Sequence, residues 1–272
     1  MTDAQTSARE TTTNTAEGAS TRAERLRIRP RVWIGLAATI ASVVIVAGLQ
    51  LVSGVSYDGA YRDVSAVLLG TGIPLIATAV FLAVVTSLLG WWRPAVFDRR
   101  RAAKWPLFVP ALMLVGLLVN FVNTDWSAIH AGVYAASLLV VLVGFTEEIA
   151  FRGLMIVGLR GRFGELWVWL ISTSVFALVH LVNVALGQEV DVTLTQVLFA
   201  FLAGTVFYIL RRSTGSLIWA MVLHGLWDFS TVGPDLTVIG PSPITGTLIC
   251  YVAGIIGVLV VGFTTRRADE RL

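Results

Sequence analysis

Of the 272 residues, 56% are hydrophobic and only 14% are charged, and the mean hydropathy is +0.80. Soluble globular domains carry about 25% charged residues. This composition therefore excludes a water-soluble domain, a disordered chain and a fibrous repeat, and it points to an all-α, polytopic transmembrane bundle. The net charge is +3, carried almost wholly by arginine, with Lys104 the lone lysine. These cations flank apolar runs, so nucleic acid is not an expected partner, whereas the lipid bilayer is. Cys250 is the single cysteine and lies in an apolar run, so it forms no internal disulfide and reads as an inert buried thiol.

Residues 1–24 are rich in Thr, Ala, Ser and Glu and contain no apolar run, which predicts a disordered cytoplasmic tail. Arg25, Arg27, Arg29 and Arg31 then precede an apolar run from Val32 to Val52. Its 21 residues are enough for about 30 Å of hydrocarbon. They exceed the core of a cleavable signal, so a retained first span is expected. Further apolar runs follow at 64–90, 105–122, 130–160, 164–186, 193–210, 214–232 and 244–263, making eight candidate spans. Pro74 is expected to kink the second. The chain divides accordingly into the tail, two N-terminal helices with a basic loop (25–104), a helical core (105–232), and a last helix with a short basic tail (233–272).

The connections alternate in charge. One set carries Arg93, Arg99, Arg100, Arg101 and Lys104, then Arg160 and Arg162, Arg211 and Arg212, and Arg266, Arg267 and Arg271. The other carries Asp58, Arg62 and Asp63, then Asp125, Glu189 with Asp191, and Asp235. The positive-inside rule places both termini in the cytoplasm of a multi-pass plasma-membrane protein. Trp33, Trp91, Trp92, Trp105 and Trp126 stand at run ends, as interfacial aromatics do.

Three runs contain ionisable groups at membrane depth. Glu147, Glu148 and Arg152 interrupt the fourth. Glu148 and Arg152 are four apart and share a helical face, while Glu147 is turned about 100° away. His180 follows Phe176 by one turn in the fifth run, and Asp228 follows His224 by one turn in the seventh. A central charge costs about 3 kcal/mol to insert, so such groups face a polar interior. Counted from the cytoplasmic clusters at Arg160, Arg162 and Arg212, Glu147, His180 and His224 lie about 20, 27 and 18 Å deep at 1.5 Å per residue. Each has a plain structural reading: a buried ion pair, helix–helix hydrogen bonds, or a solvated Asp228 near an interface. His130 reads as interfacial, and Asn120 and Asn183 as residues bonding across helices. Together, a carboxylate and two imidazoles can activate a water, or can hold zinc with an open position. HExxH and GxSxG are both absent.

The order and spacing of EExxxR (Glu147, Glu148, Arg152), FxxxH (Phe176, His180) and HxxxD (His224, Asp228) resemble the CPBP family, also called Abi, of intramembrane proteases. That family includes the CAAX prenyl endopeptidases. The resemblance covers about residues 105–232. It implies an endopeptidase acting on a membrane-associated protein or peptide. Glu147 would be the base that activates water, with Glu148 and Arg152 orienting it. His180 would contact the water or assist Glu147, and His224 and Asp228 would serve the oxyanion. Many relatives carry Asn where Asp228 stands, and an ionised carboxylate cannot donate a hydrogen bond, so Asp228 instead orients His224 or is protonated. A metal-free water mechanism with no cofactor is favoured; zinc on Glu147, His180 and His224 is the metallo-type alternative. A catalytically silent scaffold or immunity protein of the same family would carry the same motifs. A proton-relay transporter would use the same carboxylates, but the lack of a repeated EExxxR half counts against it.

Overall fold

The computed structural model describes residues 26–236, 244–266 and Glu270. The tail expected over 1–24 lies outside the described residues, as do Arg25, the Asp235 side chain, Arg267 and Arg271. Eight helical rods follow the eight apolar runs: α1 (Val32–Ser53), α2 (Val64–Leu89), α3 (Trp105–Asn123), α4 (Ala131–Arg160), α5 (Glu165–Ala185), α6 (Val190–Thr214), α7 (Ile218–Leu236) and α8 (Ile244–Val260). No strand forms among the described residues, whose one isolated bridge joins Phe97 to Ser216. Helices α1 to α6 are long and apolar enough to cross a membrane. The last is apolar over Thr245–Val260 but shorter, and an exact count of eight spans does not follow.

Local chemistry sets the ends. Asp63 caps α2 by accepting from Ala66 N at 2.9 Å. Gly90 and Gly215 end α2 and α6 with φ of 70° and 76°, the left-handed conformation that glycine adopts without strain. A widened π turn spans Leu68–Gly72, two residues before Pro74. Proline lacks the N–H for the ladder and crowds the carbonyl four residues back. The widened turn lies where that conflict arises.

The bundle is apolar outside and partly polar inside. Val52, Val122 and Leu259 are 86%, 79% and 76% exposed, while Glu148 and Arg152 are 0% exposed. In water this arrangement would waste the hydrophobic effect; in hydrocarbon it places each group where it is satisfied. The chain is a multi-pass membrane protein. Interior hydroxyls of Thr78, Thr86 and Ser172 donate to carbonyls one turn back in their own helices. Asn120 donates to Ser230 across α3 and α7, and Asn183 to Gln196 across α5 and α6. Cys250 is buried against the Met113 carbonyl.

Helix α4 is central and packs against α1, α2, α5 and α7. Helix α6 packs against α5, α7 and α8, and α3 closes the bundle against α7 and α8. The α4–α7 contact is set by two glycines. A Cβ on Gly144 would strike the Met221 carbonyl, and one on Gly225 would strike the Val141 backbone. Only bare backbone lets the two helices approach this closely. That approach carries His224 to the glutamates.

Candidate active site

Helix α4 is not uniform. It is π-helical over Glu148–Met155, between α-helical Leu142–Glu147 and Ile156–Arg160. A π turn shifts each backbone bond to the residue five positions on and re-aims the side chains it carries. Two carbonyls of this turn accept from other helices. Thr39 Oγ1 on α1 donates to Ala150 O at 2.9 Å, and Arg211 Nη1 on α6 donates to Arg152 O.

Glu148 and Arg152 form the expected pair, with Arg152 Nη1 donating to Glu148 Oε1 at 3.0 Å. Both are fully buried. The same Oε1 lies 2.9 Å from His224 Nδ1. The Arg152 guanidinium lies over the Phe176 ring, 3.7 Å from its centroid, a contact that favours a desolvated cation. The His224 ring stacks on Phe207 at 4.5 Å and 21° and meets Phe176 edge-on at 5.9 Å. These walls fix the imidazole in two dimensions, and Glu148 fixes its rotation.

The other face of His224 meets the remaining carboxylates. Its Nε2 lies 3.7 Å from Glu147 Oε2 and 3.5 Å from Asp228 Oδ2. Both separations exceed a direct N–H···O bond, and one water lying beside the three groups can touch them all. Glu147 and Asp228 keep 32% and 30% of their side chains exposed, unlike Glu148. The two adjacent glutamates therefore occupy different environments, as their 100° offset requires.

His180 stands apart. Its Nδ1 lies 2.9 Å from the Phe176 carbonyl and its ring meets Phe176 edge-on at 5.1 Å. No hydrogen bond joins it to Glu147 or Glu148 among the described residues. Five of the six candidates thus meet in one connected group, and His180 adjoins it through Phe176. Among the described residues, no group of three His, Cys, Asp or Glu is placed to hold a metal ion. His224 directs Nδ1 at Glu148 and turns Nε2 toward two carboxylates. His130 is exposed and caps α4 by accepting from Gly132 N at 3.2 Å.

All six candidates lie on α4, α5 and α7. Residues 129–230, which contain them, match the family model described as type II CAAX prenyl endopeptidase Rce1-like. That region is similar to the family that the motifs resemble, the CPBP/CAAX proteases. No curated protein matches the chain. The match supports a CAAX-protease-like membrane endopeptidase family for residues 129–230.

Two features escape the sequence. Phe207 is indistinguishable by pattern from the other apolar residues of α6, and nothing in the sequence marks it as the plate under His224. The second is an ionic cluster. Arg160, Arg211 and Arg212, which read as loop cations, are 2% or less exposed. Asp98 is bonded by Arg160 Nη1 at 2.9 Å, Arg211 Nη2 at 2.9 Å, and Arg212 Nη1. Glu165 accepts from Arg160 Nε at 2.7 Å and from Tyr208 OH at 2.6 Å. Glu270 accepts from the backbone of Arg99 and Arg100 at 3.0 and 2.6 Å and lies 3.7 Å from Arg212. Three carboxylates thus balance three guanidiniums. Burial raises the Asp98 pKa, but the three guanidiniums outweigh it and hold the carboxyl well below the usual range. Trp91, expected at an interface, is fully buried with Nε1 donating to Ile28 O at 2.7 Å.

Proposed function

We propose that the protein is an intramembrane endopeptidase that hydrolyses a peptide bond of a membrane-associated protein or peptide with water activated by Glu147. The observation that carries this reading is the division of labour between adjacent glutamates. Glu148 is buried and committed to Arg152 and His224, whereas Glu147 is part-exposed and lies 3.7 Å from His224 Nε2, close enough for one water beside them to touch both.

In this mechanism Glu147 takes a proton from the bridging water, and the hydroxide attacks the scissile carbonyl. The new oxyanion accepts from His224 Nε2–H, while Nδ1–H is held by Glu148. Collapse expels the amine, to which Glu147 returns its proton. Atoms and charge balance: one water is consumed, and one acid and one amine are released. Asp228 orients His224 and does not donate to the oxyanion, because an ionised carboxylate has no hydrogen to give. His180 donates Nδ1–H to the Phe176 carbonyl, which leaves Nε2 as an acceptor for the water or for a substrate N–H.

The clustering of the basic connections supports the proposed orientation. Asp98, Arg160, Arg212 and Glu270 come from connections expected on one side, and they share one ionic cluster. We place that side, and both termini, in the cytoplasm of a plasma-membrane protein. The test of the function compares protein termini in membranes expressing the wild type and Glu147→Gln. New termini within a membrane-associated protein arise only with the wild type. Identical sets of termini in the two membranes would remove the protease reading.

A further inference from the structure

We propose that Arg211 is a positioning residue of the site: by donating to the Arg152 carbonyl it holds the π turn that aims Glu148 at His224. The inference rests on the proposed reading only in treating Glu148 and His224 as site residues.

A π turn widens the helix and tilts carbonyls out of the usual ladder, so they accept from partners outside the helix. In α4 those partners are Thr39 at Ala150 O and Arg211 at Arg152 O. Arg211 is suited to this by shape. Its planar fork carries five N–H donors in fixed directions. Nε and Nη2 donate to Asp98 Oδ1 at 3.1 and 2.9 Å, Nη1 to Ala95 O at 2.9 Å, and Nη2 to Pro94 O at 2.9 Å. The guanidinium is fully buried and its direction is fixed by Asp98 before it reaches the turn.

Charge balance alone does not explain this placement. Arg160 and Arg212 bond the same Asp98, but they turn from it toward Glu165, Glu270 and the Arg100 carbonyl, which lie outside the π turn. It is Arg211 that donates to the Arg152 carbonyl. The contacts then run unbroken from Asp98 to Arg211, to the Arg152 backbone, through the Arg152 side chain to Glu148, and on to His224. A shift of the Arg152 backbone moves the carboxylate that sets the His224 ring.

The test uses Arg211→Lys in the full chain in detergent micelles, with Arg212→Lys as the control. Lysine keeps the positive charge against Asp98 but has three donors on one nitrogen in place of five in a planar fork, so it cannot keep all the contacts of Arg211. Amide exchange is followed over residues 149–158. The imidazole ¹⁵N signals are followed in protein labelled at its three histidines, with His224 assigned by its loss in His224→Gln. Arg211→Lys is expected to speed exchange in the turn by about 10- to 100-fold, the effect of losing a hydrogen bond from a charged donor, and to move the His224 signals. Arg212→Lys leaves both near wild-type values. Wild-type exchange and signals in Arg211→Lys, or equal changes in Arg212→Lys, would overturn the inference. Neither readout needs a substrate, so the absence of any cleavage alongside these shifts would remove the protease reading and leave this one standing.

Discussion

His224 and Glu148 stand 76 positions apart in the chain and meet at 2.9 Å between Nδ1 and Oε1. The contact joins α7 to α4 at the start of the π turn. It depends on Gly144 and Gly225, which let the two backbones close. One ring nitrogen of His224 is thereby committed to a buried carboxylate, and the other is turned toward the two part-exposed ones. That asymmetry separates the roles of the three carboxylates around one imidazole.

Glu147 and Glu148 are expected to respond oppositely to the same change. Glu147→Gln removes the proton acceptor from a part-exposed position and lowers cleavage by about 10²–10⁴-fold with little change in thermal stability. Glu148→Gln leaves Arg152 unpaired in a site with no exposure, and breaking such a pair costs about 3–5 kcal/mol. Melting of both variants in detergent, beside their cleavage rates, checks this. Equal melting losses would mean the two carboxylates share one environment.

The close approach of α4 and α7 is tested at Gly225. An alanine Cβ there meets the Val141 backbone, with its carbonyl carbon and Cα at 3.1 Å. Overpacking of this kind costs about 1–3 kcal/mol, and it pushes His224 away from Glu148. Gly48→Ala in α1 is the control, since nothing lies within 4 Å of its Cβ. That change should stabilise by about 0.5–1 kcal/mol through helix propensity alone. Unaltered melting and cleavage in Gly225→Ala would show that the contact is looser than described.

Asp98 gives the pH dependence. Its folded carboxyl titrates well below the unfolded value, because three guanidiniums overcome its burial. The folded state therefore binds fewer protons than the unfolded state. The stability this supplies is complete above the unfolded carboxylate pKa of about 3.9 and is lost as pH falls below it. Melting of the wild type should drop steeply below about pH 4, and Asp98→Asn, less stable at neutral pH, should show a shallower acid slope. Parallel acid slopes in the two proteins would mean that Asp98 is not paired in the folded state.

The sequence discloses whatever depends on period and contrast. Eight apolar runs mark eight rods, and a charge inside such a run stands out because hydrocarbon penalises it. The four-residue spacing places Arg152 on Glu148 and Asp228 beside His224. What escapes it depends on three-dimensional meeting. Arg160, Arg211 and Arg212 obey the positive-inside pattern and so read as solvated, although Asp98 and Glu165 draw them inside. The π turn has no local signature, because the donors that satisfy it come from α1 and α6. His180 occupies its expected place on α5, but its Nδ1 is bound by the Phe176 carbonyl one turn back, and spacing alone does not show how far it then lies from Glu147.

The measurement that bears most directly on Glu147-activated water is the rate of peptide-bond cleavage by purified wild-type protein after exhaustive chelation, with bound zinc quantified in the same sample. With Glu147 as the base, the rate equals that before chelation, zinc is well below one per chain, and Glu147→Gln loses activity under the same conditions. Stoichiometric zinc whose removal abolishes cleavage, and whose return restores it, would contradict that role, because the metal would then lower the pKa of the attacking water in place of Glu147.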